Sequence, residues 1–478
     1  MPRVHRLLAG TAWIYGAQLT TVTLQFGYAA VTSRTVDANG FGQYGVALAG
    51  AALVGLLATG GLAQTVARML TIDPARLRAI SLYGLILGGA GFGVVLAGAS
   101  LWGQLWSAPG AAQPLRWLGI SVLVAPLLGL GTGLLRREGR FRLLATIVLI
   151  GNLIGMAVGV GAVAHWATPS ALVLSPVLAQ LLTAVGTCSV NRKRLLGRAR
   201  LGDARGDIAF SWRLTLASVL TYANGNVGRW AASKALGAAA LGHWNRADVV
   251  TTVPFHQLQN AIVQAIYPEF RHDRRDGRRA REVWPDLLVL VAWVTVPAAA
   301  VAAVLLPVLI PVLFGPGWVL SGQLAVPLLL IAAIQAVSSV LSAAIEVLGR
   351  FWWIWGTQLA LLVVYIGAAV AALVTRGWVP LIAGLFVGMI AQHGTHIILC
   401  RRSGYLALGP LLRGYASVVV VALSLAGLTM IVVRVLSPAS LPAQLLGSVV
   451  VLVAAGALIY AARNRLPPIR IMREHSLI

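Results

Sequence analysis

Polar side chains spaced three or four residues apart inside apolar sequence are the feature of this chain that could do chemistry. Ser211, Thr215, Ser218, Tyr222, Asn226, Arg229 and Ser233 recur at that interval. On a helix they fall within less than a quarter of the circumference. After a short turn, Asn245, Asp248, Thr251, Thr252, His256, Gln259 and Asn260 share one side of a second helix. Ala247, Val250, Pro254, Leu258, Ala261 and Ala265 form its apolar side. Hydroxyls and amides in such rows exchange hydrogen bonds with a polar ligand. Arg229, Lys234 and Arg246 lie in or beside the pair. Charge at membrane depth is costly and marks a candidate site, although these three sit near one end and can also snorkel to the interface. Asp248 is the candidate carboxylate for a coupling cation. His256 is either a hydrogen-bonding group within the bundle or a proton relay.

Other chemistries leave no trace. No G-x-x-x-x-G-K-[ST] loop occurs, so nucleotide is not bound in that mode. No Ser/His/Asp or Cys/His set is legible. His393 and His396 lack further metal ligands, and Cys188 and Cys400 alone make neither a scaffold nor a metal site. The expectation is a transporter without metal or cofactor, not an enzyme.

The elements that must position these rows are membrane helices. The 478 residues are 58% hydrophobic and 10% charged, with mean hydropathy +0.84. Soluble chains carry roughly 25% charged residues. Apolar runs of about 20 residues, enough to cross hydrocarbon, recur along the chain. The expected class is all-α: a polytopic membrane protein of about fourteen helices. They are placed near 7–31, 43–67, 79–103, 115–135, 143–165, 171–190, 209–233, 243–266, 287–312, 324–345, 355–374, 380–400, 415–434 and 445–462. The first is read as an uncleaved helix, since it is too long for a signal-peptide core.

Net charge is +24, which reflects topology and not nucleic acid. With both termini cytoplasmic, every basic residue falls in a cytoplasmic segment except Arg34, Arg116, Arg229, Lys234, Arg246, Arg376 and Arg434. Shifting the topology by one helix reverses that order. The external loops are too short for a folded domain. Trp102, Trp106, Trp318 and Trp378 fall at helix ends, as interfacial anchors do.

A repeat organises the chain. Shifted by 200 residues, Ser33-Arg34 falls on Ser233-Lys234, and Phe41-Gly42-Gln43-Tyr44 on Leu241-Gly242-His243-Trp244. Gly139-Arg140-Phe141 matches Gly349-Arg350-Phe351. An even number of helices separates the copies, so the repeat is parallel. The expected domains are an N-lobe over 1–200, a C-lobe over 201–402, and two extra helices with a basic tail over 403–478. One polar stripe is explained by interhelical hydrogen bonding. Two neighbouring stripes, echoed by Thr11, Tyr15, Gln18 and Gln25 in the first helix, favour a cavity.

At these residues the chain resembles polysaccharide-transport (Wzx-type) proteins of the multidrug/oligosaccharidyl-lipid/polysaccharide exporter superfamily. Arg34 with Phe41-Gly42-Gln43-Tyr44 is similar to their opening. Leu241-Gly242-His243-Trp244-Asn245-Arg246-Ala247 is similar to a Leu-Gly-x-Tyr-x-x-Ala stretch, with Trp244 where Tyr is usual. Pro268-Glu269-Phe270, Gly315 with Trp318, and Leu348-Gly349-Arg350 follow in the family's order. The resemblance implies two six-helix lobes around a central cavity in the cytoplasmic membrane. It implies alternating access that flips a polyprenyl-pyrophosphate-linked oligosaccharide to the outer leaflet for cell-surface polysaccharide. Arg229, Arg246, Lys234 and Arg34 would then meet the pyrophosphate, and Ser218, Tyr222, Asn226, Thr252, His256 and Asn260 the sugars. Membrane lipids, and a polysaccharide polymerase or glycosyltransferases, are the partners it suggests. The first helix lacks the cavity arginines of related peptidoglycan-precursor flippases. The alternative is a Na⁺- or H⁺-coupled drug or metabolite exporter of the same superfamily. Such exporters commonly carry a carboxylate inside the first lobe, and the first helix here has none.

Overall fold

A computed structural model describes residues 20–69, 73–195, 197–273 and 277–435, with Gly16, Gly447 and Gly456. The described residues form helices and turns without a strand. Helix α1 occupies 20–32. It is followed by α2 (Ala38–Thr59), α3 (Leu62–Arg68), α4 (Pro74–Leu105), α5 (Ala112–Arg137), α6 (Phe141–Trp166) and α7 (Pro169–Leu195). Then come α8 (Arg205–Leu236), α9 (Ala238–Asp273), α10 (Gly277–Phe314), α11 (Val319–Val347), α12 (Phe351–Thr375), α13 (Trp378–Arg402) and α14 (Leu408–Val435). The start of the expected first helix and nearly all of the expected last one, 445–462, lie outside the described residues.

Local chemistry sets the ends. Asp37 caps α2 by accepting from Gly40 N at 2.8 Å, and Asp73 caps α4 through Ala75 N at 3.0 Å, with Pro74 in the first turn. Gly139 (φ +69°) and Gly349 (φ +73°) end α5 and α11 in the left-handed conformation that costs glycine nothing. These are the matched turns of the repeat. In both, the glycine N–H and the next N–H return to the last helical turn, at Arg136 O and Leu135 O in one and Glu346 O and Ile345 O in the other.

Three expectations are corrected. The helix expected over 43–67 is broken, because Gly60 and Gly61 both take positive φ (+53° and +67°) and separate α2 from α3. The gap between the helices expected over 243–266 and 287–312 is helical up to Asp273 and again from Gly277, so α9 and α10 run past the apolar segments. Trp106 and Trp318 are each only 4% exposed. They pack inside the protein and do not line its membrane interface.

The chain divides into two compact units, Met1–Asn245 with Ala372–Gly377, and Arg246–Ala371 with Trp378–Ile478. In the first, α6 packs along α7, α5 against α4 and α7, and α2 against α4 and α5. Small residues let these backbones approach. Along α6, Gly151, Gly155 and Gly159 face Ala179, Thr183 and Ser175 of α7. A Cβ on Gly155 would lie 2.5 Å from the Ser175 carbonyl oxygen. In the second unit α10 packs on α11 and α14, and α11 on α13. Its core gathers Phe270, Trp284, Leu288, Val340, Leu341, Ile345, Cys400 and Leu411. Trp284 stacks on Tyr405 and meets Phe270 edge-on.

Large apolar side chains remain on the outside, among them Leu101, Val363, Val374 and Val379. Such a surface suits hydrocarbon and not water. Among the described residues ten helices are long and apolar enough to cross a membrane. The protein is a multi-pass membrane protein. Helices α8 and α9, at 32 and 36 residues, have the length but are not among the ten. They are the two that carry the polar rows.

The α6–α7 contact gives a paired prediction. Gly155→Leu should lower the unfolding temperature in detergent, the overpacking costing about 1–3 kcal/mol. Gly161→Leu, on the same helix with nothing within 4 Å of its Cβ, should leave it unchanged.

Candidate functional site

Helix α8 belongs to the first unit and packs on α2, α3 and α4. Its first turn holds Asp207, a favourable charge at a helix N-terminus. That carboxylate takes a bidentate ion pair from Arg76 at the start of α4, one arm being Nη2 to Oδ1 at 2.7 Å. One turn on, Trp212 Nε1 donates to Tyr83 OH at 2.6 Å.

Further along, side chains of α8 reach backbone carbonyls of its neighbours. Tyr222 OH donates to Ala49 O at 2.8 Å, Trp230 Nε1 to Leu105 O at 3.1 Å, and Ser233 Oγ to Trp106 O at 2.7 Å. Ser211 and Thr215 turn back on their own helix, donating to Ile208 O at 2.9 Å and Ser211 O at 3.0 Å. In hydrocarbon an unmet hydroxyl is expensive, so each is spent inside the protein.

The stripe therefore divides into two parts. Ser211, Thr215 and Ser233 are buried and Tyr222 is half-buried; these four are engaged within the unit. Ser218 and Lys234 are exposed, and Asn226 and Arg229 half-buried. Asn226 Nδ2 donates to Tyr222 O at 3.0 Å, which leaves its carbonyl oxygen as an acceptor. Ser218 and Asn226 lie two turns apart on one face, Arg229 lies one turn further, and Lys234 follows near the end. A hydroxyl, an amide and two cations so placed can hold a hydroxylated ligand and an anionic group together. Arg34, the repeat counterpart of Lys234, is exposed in the turn after α1.

On α9, Asp248, Thr252, His256 and Asn260 follow one another at four-residue intervals. Thr252 Oγ1 donates to Asp248 Oδ1 at 2.7 Å. His256 is exposed and Asn260 half-buried. Arg246 is only 7% exposed, and its guanidinium lies over the Phe314 ring, 5.8 Å from the centroid. It is thus the most enclosed of the four basic candidates, partly held by a cation–π contact within the second unit.

Sequence reasoning found the polar residues but not their acceptors. The carbonyls of Ala49, Leu105 and Trp106 have no side-chain signature. It also left unassigned a buried node in the second unit, where His396 Nε2 lies 3.0 Å from Thr357 Oγ1 and Nδ1 lies 3.4 Å from Ser338 Oγ. Three helices meet there. The clue in sequence was the pair His393 and His396, three residues apart. His393 Nε2 lies 3.2 Å from Tyr415 OH.

Comparison with known proteins places this geometry in context. Residues 31–322, more than half of the chain, match the family described as "Polysaccharide biosynthesis protein". The chain is 24% identical over 330 residues to the lipopolysaccharide biosynthesis protein WzxC of Escherichia coli (strain K12), covering 66% of this chain and 64% of that protein. It is 26% identical over 276 residues to the teichuronic acid biosynthesis protein TuaB of Bacillus subtilis (strain 168), covering 55% and 56%. The aligned stretch thus spans less than two thirds of these relatives. Among solved structures, the lipid II flippase MurJ in an inward closed conformation aligns with TM-score 0.71 at 10% identity, over 94% of this chain and 98% of that one. An inward-facing multidrug resistance MATE family transporter of the MOP superfamily aligns with TM-score 0.58 at 15% identity, over 84% and 95%. At these identities the likeness establishes the fold.

Two substitutions separate the parts of the α8 stripe. Tyr222→Phe removes one part-buried hydrogen bond and should cost about 1 kcal/mol of stability. Ser218→Ala removes an exposed hydroxyl and should cost within about 0.5 kcal/mol. Thermal unfolding of the two variants in lipid nanodiscs checks both.

Proposed function

We propose that this chain, which belongs to the polysaccharide biosynthesis protein family, flips a polyprenyl-pyrophosphate-linked oligosaccharide across the cytoplasmic membrane. The direction is from the inner to the outer leaflet, by alternating access of two lobes over 1–200 and 201–402, in support of cell-surface polysaccharide assembly. The protein acts as a transporter and makes or breaks no covalent bond. The observation that carries the reading is the α8 stripe. Ser218 and Lys234 are exposed on it and Asn226 and Arg229 half-buried, while Tyr222 and Ser233 donate to carbonyls of neighbouring helices.

The chemistry fits the ligand. A pyrophosphate carries dense negative charge that only cations and strong donors can draw from water. Lys234 and Arg34, both exposed, and the half-buried Arg229 are the cations for it, together with Arg246, which lies over Phe314. Sugar hydroxyls need paired donors and acceptors, which Ser218, Asn226, Thr252, His256 and Asn260 supply. Tyr222 contributes its ring edge, because its hydroxyl is engaged. Asp248 is the coupling carboxylate, poised by the Thr252 hydroxyl. The isoprenoid tail stays in hydrocarbon throughout, so only the head needs a polar path.

The test is genetic and chemical. Deleting the gene should leave a complete lipid-linked oligosaccharide accumulating in extracted membranes, shielded from an external sugar-modifying probe. Restoring the wild-type gene should clear it. Arg229→Ala should restore it poorly, since losing one charge-assisted contact costs about 1.5–3 kcal/mol, or roughly ten- to a hundredfold. Absence of any such lipid, together with new sensitivity to small cationic compounds, would select the drug-exporter reading instead.

A further inference from the structure

Helices α12 and α13 of the second unit touch over the half nearer the turn that joins them. A Cβ on Gly384 would collide with Ala368, and one on Gly388 would meet Leu361 and Tyr365. Farther from the turn the two helices leave a groove of about 300 Å³ between them. Trp353, Gly356 and Thr357 of α12 and Gln392, Thr395 and Leu399 of α13 are among its walls. Gly356 keeps it wide, since nothing lies within 4 Å of a Cβ built there.

The walls are mostly apolar, and two of their three polar side chains are already engaged. Thr357 Oγ1 donates to Ile354 O at 3.0 Å and lies 3.0 Å from His396 Nε2, and Thr395 Oγ1 donates to Ala391 O at 2.8 Å. Gln392 differs. It is only 8% exposed, it lines the groove, and its amide has no hydrogen-bond partner among the described residues. An enclosed carboxamide at membrane depth is costly unless something meets it. The mouth of the groove is cationic. The Arg350 guanidinium lies over the Trp353 ring, 4.3 Å from the centroid, and Arg401 and Arg402 are exposed at the end of α13. Glu346, one turn before Arg350, faces the Tyr267 hydroxyl at 3.5 Å. Trp352 beside the mouth is 87% exposed, as an indole at the headgroup level is. The distribution of basic residues puts this mouth at the inner leaflet.

We infer that the α12–α13 groove is a binding site for an anionic diacyl glycerophospholipid of the inner leaflet, distinct from the polar row on α8. The inference rests on the charge-derived orientation and not on the identity of any transported molecule. Each part of such a lipid has a counterpart. Its phosphate meets Arg350, Arg401 and Arg402. An ester carbonyl, lying below the phosphate, accepts from the Gln392 amide. One acyl chain runs past Gly356 toward Gly388. An isoprenoid chain has no carbonyl for Gln392, and a zwitterionic lipid brings no net charge to three guanidiniums. The seated chain packs over Thr357 and so beside His396, whose ring nitrogens lie 3.0 Å from Thr357 Oγ1 and 3.4 Å from Ser338 Oγ. The bound lipid therefore stabilises the place where α11, α12 and α13 are tied together.

The experiment reconstitutes the full chain in vesicles of equal parts phosphatidylglycerol and phosphatidylcholine. The protein is then extracted in mild detergent, and the lipid it retains is counted by native mass spectrometry. The parent should keep phosphatidylglycerol in preference to phosphatidylcholine. Gln392→Leu, which removes the amide, and Gly356→Leu, which fills the groove, should each lower the retained phosphatidylglycerol roughly tenfold. Arg401→Gln with Arg402→Gln should abolish the preference between the two lipids. Gly367→Leu, on the same helix outside the groove and with nothing within 4 Å of its Cβ, should retain lipid as the parent does. If Gln392→Leu fails to fold, Gly356→Leu decides, because its added side chain enters open space. Equal retention by the parent and the folded groove variants overturns the inference, as does equal retention of the two lipids by the parent. Displacement of phosphatidylglycerol by added polyprenyl phosphate assigns the groove to an isoprenoid and also overturns it. No oligosaccharide is present in the assay, so its outcome is independent of whether the protein flips one.

Discussion

A polar group immersed in hydrocarbon has to be met by the protein itself, and that constraint organises everything else in this molecule. Most helices obey it by carrying few polar groups. Helix α8 obeys it differently. Its hydroxyls and indole reach the carbonyls of Ala49, Leu105 and Trp106, and its N-terminal carboxylate takes Arg76. Each bond contributes about 1 kcal/mol net, yet leaving one unmade costs more than that. The helix is fastened at both ends and in the middle. On the same face Ser218 and Lys234 are exposed and Arg229 is half-buried.

Fastening of this kind needs close backbones, and glycine provides them. The α6–α7 pair approaches through Gly151, Gly155 and Gly159, and the start of α2 meets the start of α9 through Gly42 and Gly242. The two contacts differ in form. Along α6 and α7 the glycines run down a helix face and hold a static seam. At Gly42 and Gly242 they occupy a single crossing, with the Asn245 amide against Gly45 one turn on.

Much of this was legible beforehand. The all-helical membrane class followed from hydropathy, and the α8 and α9 rows followed from spacing alone. The turns at Gly139 and Gly349 were visible as a sequence match and turned out to share a backbone conformation. The rest was hidden for physical reasons. Every residue has a carbonyl, so sequence cannot say which one a tyrosine will find. Gly60-Gly61 fell inside the helix expected over 43–67, but two successive left-handed residues end a helix. Trp106 and Trp318 read as interfacial because they sit at helix ends, whereas burial depends on neighbours far along the chain. The crossing at Gly42 was present as a motif, but its contact with the carbonyl of Ala238 was not.

The central claim is that the α8 stripe carries a lipid-linked saccharide across the bilayer. The most direct measurement is reconstitution of the purified chain into liposomes with a labelled polyprenyl-pyrophosphate oligosaccharide in one leaflet. Appearance of the sugar in the opposite leaflet is followed with an impermeant probe. The account predicts movement by the wild-type protein and a loss of roughly tenfold or more in Arg229→Ala, with Tyr222→Phe slowed far less. Equal movement by wild type and Arg229→Ala, or none by either in protein shown to be folded, would contradict it.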